Sequence, residues 1–239
     1  MGGIISKYGN HNIEAKLVRL SELQKPAISI IEEHTQLLED VCGSYVSGNF
    51  YSALTGACCL GERIFNNIIF KVLDDFKSSK YYKKVYRKDS LLDWQKAIDI
   101  LSAWKIIDSK TRERYLQLYK LRTESIHFQK KEQDASKMSA EAINIINFII
   151  GKLFGITAER KDILLYFNVP GEIYINKCAE SNPIVRHFFI PCANLVGPNH
   201  VVTPGNYIGQ FKIIDDNTYE DREIDDEEFV KLRISKKNK

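Results

Sequence analysis

The segment FYSALTGACCLGERIFNNIIFKVLDDF places Phe50, Leu54, Cys58, Phe65, Ile68, Val72 and Phe76 at helical spacing. A helix this long and this apolar is stable in water only when other elements cover it, so the chain has to build a bundle around it. The rest of the first two thirds supplies the cover. Asn12 to Gln24 and Pro26 to Ser44 read as a helical lead-in, with Pro26 beginning a helix or kinking a longer one. Ser90, followed three residues later by Asp93, resembles a capping box opening a helix with Leu91, Trp94, Ile98 and Leu101 on one face. Asp108 or Ser109 caps the next helix. Ala142, Ile145, Ile146, Ile149 and Leu153 line a last one, and Gly155 stands where a left-handed C-terminal residue is expected.

Near residue 157 the period changes. Beyond it, short β-branched and aromatic runs alternate with proline and glycine: ILLYFNV, EIYIN, PIVRHFFIP and NYIGQFKII read as strands, with Pro170-Gly171 as a turn. The expected fold class is therefore α+β. Residues 1–157 form an up-down helical bundle, and residues 158–239 form a small β-rich C-terminal domain with a short acidic helix or turn near DDEEF.

The 239 residues carry a net charge of +3, too little to argue for nucleic acid without a local concentration of charge. The longest apolar run, Ile143 to Ile156, is broken by Asn144, Asn147 and Lys152 and falls short of the ~20 residues a membrane span needs. No membrane association is expected, and the MGGIIS start is read as a chance match to an acylation pattern. The cysteines, Cys42, Cys58, Cys59, Cys178 and Cys192, are odd in number and lack C-x-x-C spacing, which favours a reducing, cytoplasmic setting over a disulfide framework.

One residue breaks the helical pattern. In LYKLRTESIHF, Arg122 falls inside the apolar sector with Tyr115, Leu118 and Tyr119, while Glu113, Gln117, Lys120 and Glu124 occupy the opposite, wet face. A guanidinium in an apolar interface costs several kcal/mol unless it is paired or borders a wetted cleft. Two explanations stand side by side. In one, Arg122 pairs with a carboxylate such as Glu62 on the central helix and His127 is an ordinary surface residue. In the other, Arg122 and His127 border a cleft and act on a phosphate, one as a bidentate fork and the other as a proton carrier. The bare Arg-to-His spacing recurs by chance and decides nothing.

The helix YSALTGACCLGERIFNNII followed by LYKLRTESIHF resembles the HEPN family of helical-bundle proteins over about residues 10–157. The matching features are Arg122, four residues and His127 on a late helix, with Glu62 where family members carry an acid. Many catalytic members have Asn, His or Asp after the arginine; this chain has Thr123. The resemblance implies metal-independent endoribonuclease activity, in toxin or phage-defence (antiviral) settings, without a cofactor. It makes Arg122 and His127 catalytic, with Glu62 and Thr123 supporting. Cleavage through the ribose 2′-OH needs a base, an acid and cationic stabilisation, whereas one motif brings one histidine, so a homodimer with a composite site is expected. The rival reading is a non-catalytic dimerisation or partner-binding module.

Two further groups remain. Lys80, Lys83, Lys84 and Arg87, interleaved with Tyr82 and its neighbours, suit RNA phosphates and bases, although lysine-rich solvated loops are common. Cys178, His187, Cys192 and His200 are zinc-type ligands at irregular gaps, read as metal-free, with His187 packed in a strand. The C-terminal domain is expected to bind a ligand or a regulatory protein.

Overall fold

The computed structural model describes residues 3, 7–24, 29, 34–126, 134–155, 181–190, 200–204, 211–215, 227–228, 231 and 235. The chain divides into two compact units, Met1–Gly155 and Ile156–Lys239.

In the first unit the helices are α1 (Ile13–Glu22), α2 (Thr35–Ser47), α3 (Phe50–Val72), α4 (Trp94–Ala103), α5 (Ser109–Ile126) and α6 (Ala135–Phe154). The central position of α3 follows from its sequence: Leu54, Ala57, Leu60, Ile64, Phe65, Ile68, Ile69 and Val72 are all buried, and α3 touches α2, α4, α5 and α6. Each large side chain buried this way contributes about 1.5–3 kcal/mol. Gly48, at φ 91°, ends α2 in the left-handed conformation that glycine adopts without a Cβ clash, and the chain turns straight into α3. Gly61 admits close approach: a Cβ there would lie 2.5 Å from Leu118 Cδ2 and 3.3 Å from both Ile146 Cδ1 and Trp94 Cη2.

The bundle is not the simple up-down arrangement expected. Trp94, at the start of α4, packs edge-on against Phe65, while Trp104, just past its end, stacks on Phe76 with ring centroids 4.5 Å apart. Helix α4 therefore runs parallel to α3, and residues 77–93 form a strap that returns along it. The contacts of α5 run the other way, with Tyr115 against Phe65 and Leu118 against Gly61, so α5 is antiparallel to α3.

The asparagines that interrupt the apolar run of α6 hold the end of α1. Asn144 accepts from the Gln24 N–H at 2.7 Å and donates to the Glu22 carbonyl at 3.1 Å, and Asn147 donates to the Gln24 carbonyl at 3.1 Å. Tyr45 donates to the Glu22 carboxylate, and burial, reinforced by that carboxylate, pushes its hydroxyl up to about 12. Arg19 closes the same corner by donating to the Val46 carbonyl at 2.8 Å.

Helix starts differ from the sequence reading in two places: the helix expected from Pro26 to Ser44 starts at Thr35, with Ser29 in an isolated bridge to Gly155, and the start of α4 is shifted. Asp93, not Ser90, is the cap of α4, accepting from the Lys96 N–H at 3.0 Å. The reason is Leu91, whose N–H is taken by the Asn66 side chain at 2.7 Å, which holds that residue outside the helix. Asp108 caps α5 as expected, through the Thr111 N–H at 2.7 Å. Gly155 has φ −67° and ψ 138°, extended and not left-handed; a Cβ there would strike the Gly151 carbonyl.

The expected α+β class, with a β-rich C-terminal domain, is overturned: the described residues are overwhelmingly helical. PIVRHFFIP, read as a strand, forms a π-helical turn at Val185–Phe189, with Ile184, Val185, Phe188 and Phe189 buried and His187 half-buried. A short apolar run has no period long enough to separate strand from helix, and this one took the helical option. Among the described residues of the second unit, strand structure is limited to one antiparallel hairpin, β1 (His200–Pro204) with β2 (Phe211–Asp215), pairing Val202 with Ile213. The expected strands ILLYFNV and EIYIN lie outside the described residues, as do the Pro170-Gly171 turn, Pro26, Cys178 and Cys192.

Candidate functional site

On α3, Cys58, Glu62 and Asn66 follow at four-residue intervals and form one stripe. Glu62 in this stripe meets the first turn of α4 and the last turns of α5. Its Oε2 accepts the Trp94 indole N–H at 3.1 Å and lies 4.0 Å from Arg122 Nε. The Arg122 guanidinium also sits over the Trp94 ring, 5.8 Å from its centroid, which adds a cation–π attraction. Three helices thus converge on one carboxylate.

Two of the residues singled out in the sequence, Arg122 and Glu62, are brought together. The separation of 4.0 Å makes this an ion pair and not a hydrogen bond. Both side chains reach water, at 35% exposure for Arg122 and 25% for Glu62, so the arginine escapes the cost of full burial. Glu62 lies on the Nε side. Among the described residues, no carboxylate or hydrogen-bond acceptor occupies the two Nη groups. A guanidinium with a carboxylate near its inner nitrogen and, among the described residues, no acceptor at its outer edge has the geometry to take two oxygens of one anion.

Thr123 does not join this arrangement: its hydroxyl donates to the Tyr119 carbonyl of its own helix at 2.9 Å. His127 lies outside the described residues, as does the loop after it. Cys58 borders the site without being reactive, because burial, aided by neighbouring Cys59 and only partly opposed by Arg122, pushes its thiol up to about 12.

Trp94 and Asn66 were not anticipated. Asn66 donates to the Leu91 carbonyl at 3.3 Å and accepts from the Leu91 N–H at 2.7 Å, anchoring the residue that leads into Trp94. The sequence carries a usable signal: a buried tryptophan needs an acceptor for its N–H, and Glu62 is a carboxylate on the central helix.

Lys80, Tyr82, Lys83, Lys84 and Arg87 lie on the strap, and none of them is hydrogen-bonded or ion-paired to Glu62 or Arg122. The strap contains a single helical turn, Tyr82–Val85, whose Val85 is fully buried. Tyr82 and Tyr86 stack, with centroids 5.4 Å apart and planes 9° from parallel. No group of three or more metal-ligating side chains occurs among the described residues, and no helix there is long and apolar enough to cross a membrane. Comparison of the chain with models of known families, with curated proteins and with solved structures finds no match.

Proposed function

We propose that the helical unit is a metal-independent endoribonuclease. Arg122 takes two non-bridging oxygens of the scissile phosphate on its Nη edge, with Glu62 and Trp94 holding the guanidinium in place. The 2′-oxygen attacks phosphorus and loses its proton to a histidine base. The P–O5′ bond breaks, and the leaving 5′-oxygen takes a proton from a histidine acid, giving a 2′,3′-cyclic phosphate and a free 5′-hydroxyl. His127 of each of two chains fills these roles in a homodimer. A toxin or phage-defence setting in the cytoplasm comes with the resemblance in LYKLRTESIHF, and the second unit would bind the regulating ligand or protein.

The observation that supports this reading is an Arg122 guanidinium that has Glu62 4.0 Å from its inner nitrogen and, among the described residues, no acceptor on its outer edge. A second reading has its own support. The same ion pair and the Trp94 contact suffice to explain why an arginine stands in the apolar sector, which suits a non-catalytic dimerisation or partner-binding module. The two part on one experiment: purified full-length protein and its His127→Ala variant are incubated with total RNA in EDTA. Cleavage that persists in chelator, leaves cyclic phosphate ends and is lost in the variant supports the enzyme. Cleavage equal in both, or none, leaves the binding module.

A further inference from the structure

The strap between α3 and α4 is more ordered than a lysine-rich loop has reason to be. Its start is held by Ser79, whose hydroxyl accepts the Trp104 indole N–H at 2.9 Å and the Tyr81 N–H at 3.2 Å. Its middle is held by the buried Val85, and its end by the reciprocal bonds between Leu91 and Asn66. Three separate anchors fix twelve or so residues that are otherwise mostly exposed.

What the anchors display is positive charge alternating with aromatic rings. Lys80 and Lys84 lie 5.2 and 5.7 Å from the Tyr81 centroid, and Arg87 lies 5.0 Å from that of Tyr86, itself 43% exposed. Among the described residues, Lys80, Lys83, Lys84, Arg87 and Lys88 have no carboxylate within 4.0 Å, although Lys77 just before them pairs with Asp74 at 3.5 Å. Asp89 and Asp93 offset only part of this charge, and the remaining cations repel one another, a cost that a polyanion would reduce.

The fold also places one end of this display. Leu91 is tied to Asn66, one turn of α3 beyond Glu62, or about 6 Å along the axis. Lys88 is three residues from Leu91, at most about 11 Å of chain. The C-terminal end of the cationic strap is therefore tied about one helical turn from Glu62, the partner of Arg122.

We propose that the strap is the binding track for single-stranded RNA, delivering the backbone to Arg122, with the cations on phosphates and a base extending the Tyr82–Tyr86 stack in place of the Arg87 contact. This rests on the ribonuclease reading for its choice of substrate. Rings favour a single strand over a duplex, whose bases are already stacked, and over an anionic lipid surface, which offers no ring to stack on.

The test measures fluorescence anisotropy of a labelled oligouridylate of about 12 nucleotides, 2′-O-methylated to prevent cleavage, a length within single-strand site sizes. Probes for comparison are the matching duplex and phosphatidylserine vesicles. For the Lys83→Ala/Lys84→Ala/Arg87→Ala variant the expected result is at least a tenfold weaker affinity and a salt-dependence slope smaller by about 2, from ~0.7 per lost phosphate contact. Tyr86→Ala weakens single-strand binding several-fold with the slope unchanged. An unchanged affinity in the triple variant, or equal binding of duplex or vesicles, overturns the proposal. Circular dichroism shows whether the variants fold, and since all three side chains are exposed they should. Cleavage of unmodified RNA is read separately: strap-dependent binding without cleavage removes the enzyme and keeps the track, and cleavage with strap-independent binding does the reverse.

Discussion

Replacing Glu62 separates its two partners by size of effect. Glu62→Gln keeps an oxygen for the Trp94 indole N–H and removes only the charge facing Arg122. At 4.0 Å two charges attract by about 1 kcal/mol in water and about 4 at an effective dielectric of 20. With the pair a quarter to a third exposed, the value belongs near that of measured surface pairs, about 0.5–1 kcal/mol. Glu62→Ala removes the acceptor as well, and Trp94 is only 1% exposed, so its N–H is left without a protein partner. That unpaired donor adds about 1–3 kcal/mol. The assay is urea unfolding followed by tryptophan fluorescence; both tryptophans, Trp94 and Trp104, belong to the first unit, so the signal reports that unit alone. The loss in Glu62→Gln should shrink further in ~1 M salt, where the screening length is about 3 Å, whereas the extra loss in Glu62→Ala should not. Equal losses in the two variants, or a Glu62→Gln loss indifferent to salt, would refute the division of labour assigned to this carboxylate.

Gly61→Ala forces a methyl against Leu118, Ile146 and Trp94; overpacking of about 1–3 kcal/mol outweighs the ~1 kcal/mol gained in helix propensity, and calorimetry should record a lower Tm. Asp108→Ala loses the α5 cap, about 1 kcal/mol at neutral pH. Because the Thr111 hydroxyl and N–H hold the Asp108 carboxyl below its ordinary 3.8, its contribution is present above that value and fades as pH falls through the lower folded value, so wild type and variant should converge only in strong acid. Tyr115 is fully buried with its hydroxyl unpartnered among the described residues, and burial raises its pKa; Tyr115→Phe should therefore be neutral or stabilising by up to about 1 kcal/mol, and a clear loss would reveal a partner for that hydroxyl.

How much of this was legible follows the length of each pattern. The long period of α3 and of α6 is repeated over many turns and left one interpretation, whereas the misfit of Arg122 against its apolar neighbours left two, of which the pairing with Glu62 is present at 4.0 Å. The start of α4 was misplaced because the deciding contact, Asn66 to Leu91, joins positions 25 residues apart in sequence. The same long-range contact, with the stacking of Trp104 on Phe76, sets the parallel course of α4, which local periodicity does not encode. Val185–Phe189 is apolar without a period, and local sequence could not choose between strand and helix there. The anchoring of the strap was hidden for a related reason: Ser79 and Val85 look unremarkable until Trp104 and the core are placed around them.

If Arg122 binds a phosphate through its two-pronged edge, wild type and Arg122→Lys must differ on RNA in EDTA, with Tm recorded for both. Lysine keeps the charge opposite Glu62 but loses the two-pronged edge. The lysine variant should show a Tm within a few degrees of wild type and cleavage to cyclic phosphate ends reduced by about a hundredfold or more. Undiminished cleavage by the lysine variant, or a wild type that cuts no RNA, would contradict that role of Arg122.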